Sequence, residues 1–264
     1  MSVLEAIILG IVQGIGEFLP ISSSGHLLLL QRFFGIEENL LTFNVVVHVG
    51  TLIPVIYIYF ARIKDLVKNP FQKLTWLLVI GTLPAVFAAL FLGDVVDRLF
   101  SGDYLAVGFL VTALLLIIID MKPVKGSKSI REMSYLDAVV IGLIQMVAIT
   151  PGISRSGSTI FGGTMRGLDK RAAADFSFLL AIPAIAGATV LEIFDIIRGG
   201  GASVSYFFTY PVILGFIVSI LVGYLCIKLL LKLIVGRGLK PFAYYLMVLS
   251  VLILADQIFI RNVL

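Results

Sequence analysis

Charge is what this chain has least of. Only 14% of its residues are Asp, Glu, Lys or Arg, against about 25% in an ordinary globular protein, and 59% are hydrophobic. A water-soluble surface cannot be covered with so few ionic groups. Cysteine is reduced to Cys226, which excludes an intramolecular disulfide and any redox chemistry needing a thiol pair. No positively charged stretch precedes the first apolar run, so no cleavable signal peptide is expected. The net charge is only +4, and the basic residues sit between apolar runs. That balance argues for loop orientation at a membrane and against nucleic acid as a partner.

What the chain does hold is apolar runs of about 20 residues, each enough to cross a bilayer. Six read as uninterrupted spans, at about 41–60, 74–92, 103–121, 173–197, 206–233 and 240–260. Two more, about 3–33 and 135–168, are broken by Pro20 to Gly25 and by Pro151 to Gly157. Proline removes a helix donor and glycine frees the backbone, so each broken run is expected to be two half-helices around a turn.

The two breaks belong to a repeat. Leu4-Glu5-Ala6, Gly10 and Gln13 lead to Ile21-Ser22-Ser23-Ser24-Gly25. Shifted by 132 residues, Leu136-Asp137-Ala138, Gly142 and Gln145 lead to Ile153-Ser154-Arg155-Ser156-Gly157. The shift is half the length of the 264-residue chain. The expected fold is therefore an all-α polytopic membrane protein, one integral domain over 1–264 built from two repeats, about 1–132 and 133–264. Each repeat would hold one re-entrant hairpin and three spans. Three is odd, so the second repeat would be inserted upside down, letting the two tips meet at a midplane site. Loop charges agree. Arg62, Lys64, Lys68 and Lys73; Lys122, Lys125, Lys128 and Arg131; Arg166, Lys170 and Arg171; and Lys228, Lys232, Arg237 and Lys240 fall on one side only if the broken runs do not cross. The positive-inside rule makes that side cytoplasmic and puts both termini and the first hairpin outside.

The tips carry the chemistry. Gln13 and Glu17 are four apart and share a helix face. Ser22, Ser23 and Ser24 suit the N-cap of the returning half-helix, with Gly25 and His26 behind them. Ser154, Arg155, Ser156, Gly157 and Ser158 offer a matching helix start and add a guanidinium. Helix starts aim unpaired N–H groups and a positive dipole end at an anion. A charged side chain at mid-membrane costs about 2.5–3.5 kcal/mol, so Glu17 and Arg155 need a reason to be there. A structural ion pair between the hairpins is one, but it leaves the serines, glycines and His26 without a role. An oxyanion pocket accounts for all of them and suits phosphoryl chemistry, since Arg holds phosphate bidentately and a carboxylate can hold a divalent cation.

The run from Gln13 to His26, with Pro151 to Thr159, resembles the two signature motifs of the undecaprenyl-diphosphate phosphatase family, the bacitracin-resistance type. The likeness extends through Phe43 to Thr51, Pro84 and Ser177 to Ala184. It implies hydrolysis of a polyprenyl diphosphate lipid to the monophosphate, recycling the carrier for cell-wall polymers, with Mg²⁺ or Ca²⁺ as cofactor. It also implies a site opening to the outer face of the plasma membrane. By position, Glu17, Ser23, His26 and Arg155 are the implied catalytic residues, Glu17 also the metal ligand. Gln13, Ser22, Ser24, Gly25, Ser154, Ser156, Gly157 and Ser158 line the substrate site. Many members carry Glu where Gln13 stands, so a two-carboxylate scheme is excluded here. The expected mechanism has Arg155 and the hairpin N–H groups holding the diphosphate while the cation bridges it to Glu17. Ser23 or water attacks with His26 moving the proton, and direct attack by His26 stays open. A homodimer is left open as well.

Outside the tips, His48 and Asn44 read first as interfacial hydrogen-bonding groups, with a substrate role as the alternative. Asp120, Glu192, Asp195 and Asp256 read as boundary markers, Pro54, Pro84 and Pro183 as kinks, and Trp76, Tyr57, Tyr59 and Tyr104 as interfacial anchors. The competing function is a transporter or flippase for a prenyl phosphate, because broken inverted repeats also serve alternating access.

Overall fold

A computed structural model describes residues 1–36, 40–122, 128–199 and 204–260. Twelve α-helices account for almost all of them, and no strand forms among the described residues. The first repeat holds α1 (Val3–Phe18), α2 (Ser23–Phe33), α3 (Leu40–Ile58), α4 (Phe60–Lys68), α5 (Lys73–Phe91), α6 (Gly93–Leu99) and α7 (Leu105–Met121). The second holds α8 (Tyr135–Val147), α9 (Arg155–Met165), α10 (Lys170–Gly199), α11 (Tyr210–Gly236) and α12 (Lys240–Ala255), the last continued by a π turn at Asp256–Ile260. Five of the helices, α3, α5, α10, α11 and α12 with its π turn, are long and apolar enough to cross a membrane. The sixth expected span, α7, has 17 residues and sits at the short end of what a bilayer needs. The chain is an all-α polytopic membrane protein. Lys125, one of the predicted loop cations, lies outside the described residues.

Both broken runs break as expected, α1 giving way to α2 and α8 to α9, and the same device starts each. Ser2 and Glu5 form a capping box at the head of α1, and Ser134 with Asp137 forms one at the head of α8. Asp137 is completely buried and is paired with Arg166 Nε at 2.7 Å and Lys128 Nζ at 3.1 Å. α1 packs on α11 and, correspondingly, α8 on α5, while α7 packs on α12 and α3 on α10. The first two contacts are close backbone crossings. A Cβ on Gly10 would lie 2.6 Å from the Gly215 carbonyl oxygen, and one on Gly142 would lie 2.6 Å from that of Gly81.

Pro54, Pro84 and Pro183 all fall inside helices. Trp76, Tyr57 and Tyr104 are exposed, as interfacial anchors should be. Tyr59 departs from that expectation: it is buried, and its hydroxyl donates to Asp175 Oδ1 at 2.6 Å. Asp120 is likewise more than a boundary marker. Its Oδ2 accepts from the backbone N–H groups of Leu239 and Lys240, at 2.6 and 2.8 Å. It therefore supplies negative charge to the start of α12, where the helix dipole favours it.

Candidate active site

The two tips meet in the interior. At the first, Ser22 has φ 72°, and its hydroxyl accepts from Gly25 N at 3.4 Å within its own tip. The same hydroxyl accepts from Gly152 N at 3.1 Å, so one serine caps α2 and ties the two hairpins together. Ser154 caps α9 in the matching way, accepting from Gly157 N at 3.1 Å. Thr112 of α7 fixes the second tip from outside the hairpin. Its hydroxyl donates to the Gly152 carbonyl at 2.8 Å and accepts from Ser154 N at 2.9 Å. Gly25 must be glycine for contact reasons, since a Cβ there would stand 2.7 Å from Gly152 N. Gly152 must be glycine twice over. Its φ is +89°, and a Cβ would meet the Leu105 carbonyl oxygen at 2.7 Å. Gly152→Ala is accordingly expected to destabilise the protein by on the order of 2–5 kcal/mol, strain and overpacking together, read as a lowered midpoint of thermal unfolding in detergent.

With the tips locked, three predicted residues converge on the carboxylate of a fourth, Glu17. Glu17 Oε1 accepts from Arg155 Nη2 at 2.5 Å. Glu17 Oε2 accepts from Ser23 Oγ at 2.9 Å and from Gln13 Nε2 at 3.0 Å. Arg155 is the first residue of α9 and also donates from Nη1 to the Ser177 carbonyl at 3.2 Å. Ser177 in turn shares a 2.6 Å hydroxyl contact with Thr159. Glu17 is 6% exposed and Arg155 16%, so the pair is largely withdrawn from water yet still open on one side.

The remaining predicted residues divide. Ser24 Oγ lies 3.4 Å from Ser22 Oγ, and Ser156 Oγ lies 3.2 Å from Ser154 Oγ. The hydroxyls of Ser22 and Ser154 are engaged in holding the tips. Gly157 packs on Pro20, and Ser158 Oγ is buried without a partner. His26 makes its contacts elsewhere: Nδ1 is 2.8 Å from the Ser22 carbonyl and Nε2 is 2.8 Å from Tyr245 Oη. The imidazole beside the carboxylate is that of His48, whose Nε2 lies 3.8 Å from Glu17 Oε2. His48 Nδ1 bonds the Asn44 carbonyl of its own helix at 2.7 Å, and Gln31 donates to Asn44 Oδ1 at 2.7 Å. His48 thus borders this site, while Asn44 is tied to Gln31 of the neighbouring α2, as the interfacial reading has it. Their i, i+4 spacing was visible in the sequence; which face of α3 turns inward was not. Thr112 and Tyr245 had no signal pointing to them, whereas Ser177 begins a stretch that the family resemblance already reached.

The donor set can be tested against a divalent cation. Among the described residues no three His, Cys, Asp or Glu side chains converge, so no cage of such ligands forms. Gln13 Oε1 is, however, fully buried without a partner one helical turn from Glu17. An anionic carboxylate and an unused amide carbonyl are the hard oxygen donors that Mg²⁺ and Ca²⁺ take, the rest of the shell coming from phosphate and water. The residues fit such a cation shared with a phosphate ligand.

Fold and site together define a polytopic helical membrane protein in which two helix starts meet beside a buried carboxylate–guanidinium pair. The family described as "Bacitracin resistance protein BacA" matches the chain over residues 6–252, and the chain belongs to that family. It is 42% identical over 258 residues to a protein of Carboxydothermus hydrogenoformans named undecaprenyl-diphosphatase, covering 97% of this chain and 98% of that one. A Bacillus thuringiensis subsp. konkukian protein named undecaprenyl-diphosphatase 4 is 42% identical over 259 residues, again covering 97% and 98%. A Methanosphaera stadtmanae protein named undecaprenyl-diphosphatase is 37% identical over 275 residues, covering 96% and 97%.

Proposed function

We propose that this chain is a membrane phosphatase that hydrolyses undecaprenyl diphosphate to the monophosphate and inorganic phosphate. It thereby returns the lipid carrier to cell-wall synthesis and confers bacitracin resistance. The observation that carries the reading is the shared carboxylate: Ser23 and Arg155, from hairpins 132 residues apart, both bond to Glu17 where α2 and α9 begin. A passive anion carrier has no use for a hydroxyl poised on a carboxylate.

The reaction follows from that geometry. Arg155 and the unpaired N–H groups at the two helix starts hold the terminal phosphate and spread its charge. The Ser23 hydroxyl, or a water in its place, attacks the terminal phosphorus as the bond to the bridging oxygen breaks, and the prenyl monophosphate leaves. On the Ser23 route a water then cleaves the Ser23 phosphate, releasing inorganic phosphate and restoring the hydroxyl. The Ser23–Glu17 hydrogen bond supports Glu17 as acceptor of the proton, in place of the His26 expected from sequence, with His48 alongside to pass it on. Glu17 and Gln13 Oε1 would hold Mg²⁺ or Ca²⁺. When bound, the cation neutralises phosphate oxygens as the bond breaks.

The basic loops support a cytoplasmic side carrying Arg62 to Lys73, Lys128, Arg131 and Arg166 to Arg171. The hairpins then enter from opposite faces of the plasma membrane, and the pocket opens outward. Purified protein given C15 or C55 prenyl diphosphate is expected to release phosphate. EDTA should stop the release, and added Mg²⁺ or Ca²⁺ should restore it. No release with any divalent metal would overturn the assignment and favour transport.

A further inference from the structure

Both nitrogens of His26 are occupied, and one partner is a residue the reaction has so far not needed. A carbonyl oxygen can only accept, so the 2.8 Å contact to Ser22 O places the ring proton on Nδ1. That leaves the Nε2 lone pair to accept from the Tyr245 hydroxyl at 2.8 Å. The rings reinforce the bond. Tyr245 stacks on the imidazole at 5.7 Å and 18°, and Phe109 of α7 meets it at 5.0 Å and 67°. No carboxylate is among these contacts. The imidazole is therefore a strut between the first tip and α12, a helix of the other repeat.

What the strut holds is the residue that sets the site. Ser22 carries the positive φ of the first tip, its carbonyl takes His26, and its hydroxyl takes the second tip through Gly152. The next residue is Ser23, hydrogen-bonded to Glu17. α12 is itself anchored on α7 by Ser250 Oγ, which donates to the Ala106 carbonyl at 2.7 Å. The repeat adds an independent argument. α7 and α12 are corresponding helices, and each sends one side chain to one tip: Thr112 to the Gly152–Ser154 turn and Tyr245, through His26, to the Ser22 turn.

We propose that Tyr245 is a positioning residue for the hydrolytic reaction, acting through His26 to hold the Ser22–Ser23 tip against Glu17. It touches no substrate. The proposal rests on the phosphatase reading for its kinetic consequence but not for its geometry, and the test separates the two.

Tyr245→Phe keeps the ring and removes only the hydroxyl. kcat for prenyl diphosphate hydrolysis is expected to fall by about 10–100-fold, the usual effect of losing a group that orients another, with KM changed less than about twofold. The chain contains only two histidines, so ¹⁵N-histidine NMR of the detergent-solubilised protein shows two rings, assigned with His48→Gln. The His26 Nε2 resonance should move downfield toward an unbonded imidazole nitrogen in Tyr245→Phe while His48 stays in place. Tyr244→Phe, an exposed neighbour, should alter neither readout. An unmoved His26 resonance overturns the proposal whatever the kinetics, and a moved resonance with wild-type kcat overturns it too. If the wild-type protein hydrolyses no prenyl diphosphate, the phosphatase reading fails, while the NMR arm still decides whether Tyr245 holds His26.

Discussion

Arg155→Ala is expected to lower kcat/KM for prenyl diphosphate by about 10³-fold or more, the usual cost of losing a guanidinium that stabilises phosphoryl-transfer charge. Arg155→Lys should recover little of it, because a point charge does not reproduce the planar fork that spans Glu17, Ser177 and a phosphate. Arg155→Ala should also destabilise the fold. Glu17 is nearly buried, and stripping it of its partner strands a charge at a cost of about 3–5 kcal/mol. That cost offers a way to separate structure from catalysis. The double variant Arg155→Ala, Glu17→Gln removes the stranded charge and should regain much of the lost thermal stability while recovering no activity. Near wild-type turnover in Arg155→Ala would refute its catalytic role. A double variant that recovers turnover along with stability would reduce the pair to a structural tie between the hairpins.

Glu17→Gln has the second large expected effect. The change is isosteric, so packing against Gln13, Ser23 and His48 survives, but an amide neither takes the Ser23 proton nor offers charge to a cation. Loss of about 10³-fold or more in kcat is expected, in the range seen when a proton acceptor and a charge partner are removed together. Phosphate release should no longer respond to added Mg²⁺ or Ca²⁺. A variant that keeps its metal response would show that the cation is held elsewhere, and Gln13 Oε1 would lose its assigned use.

Much of this was legible because membrane interiors tolerate few unexplained groups. Glu17 and Arg155 are ionised residues in apolar runs at repeat-related breaks, and the cost of leaving either alone predicts that they find each other. The caps at Ser22 and Ser154 follow from residue type and from the turn that precedes them. The sequence does not carry information on which way a helix faces once it is inside. His26 follows the serines in the chain, yet its ring turns to Tyr245, 219 residues on, while His48, which looked peripheral, turns toward Glu17. Tyr59 and Asp120 escaped for the same reason. Their partners, Asp175 and the start of α12, lie in the other repeat, and no local spacing betrays a contact of that range.

The close crossings of Gly10 on Gly215 and of Gly142 on Gly81 have a consequence for biogenesis. Each hairpin is seated by a helix of the opposite half, so the halves are interlaced rather than side by side. The berth for α1 leaves the ribosome about 200 residues after α1 itself, a delay of roughly 10–40 s at ordinary translation speed. Through that interval the leading hairpin sits in the bilayer with its glycine face unmatched, and Glu17 has no guanidinium partner until Arg155 follows 138 residues behind it. The nascent protein is then most exposed to mispairing and to quality-control proteolysis.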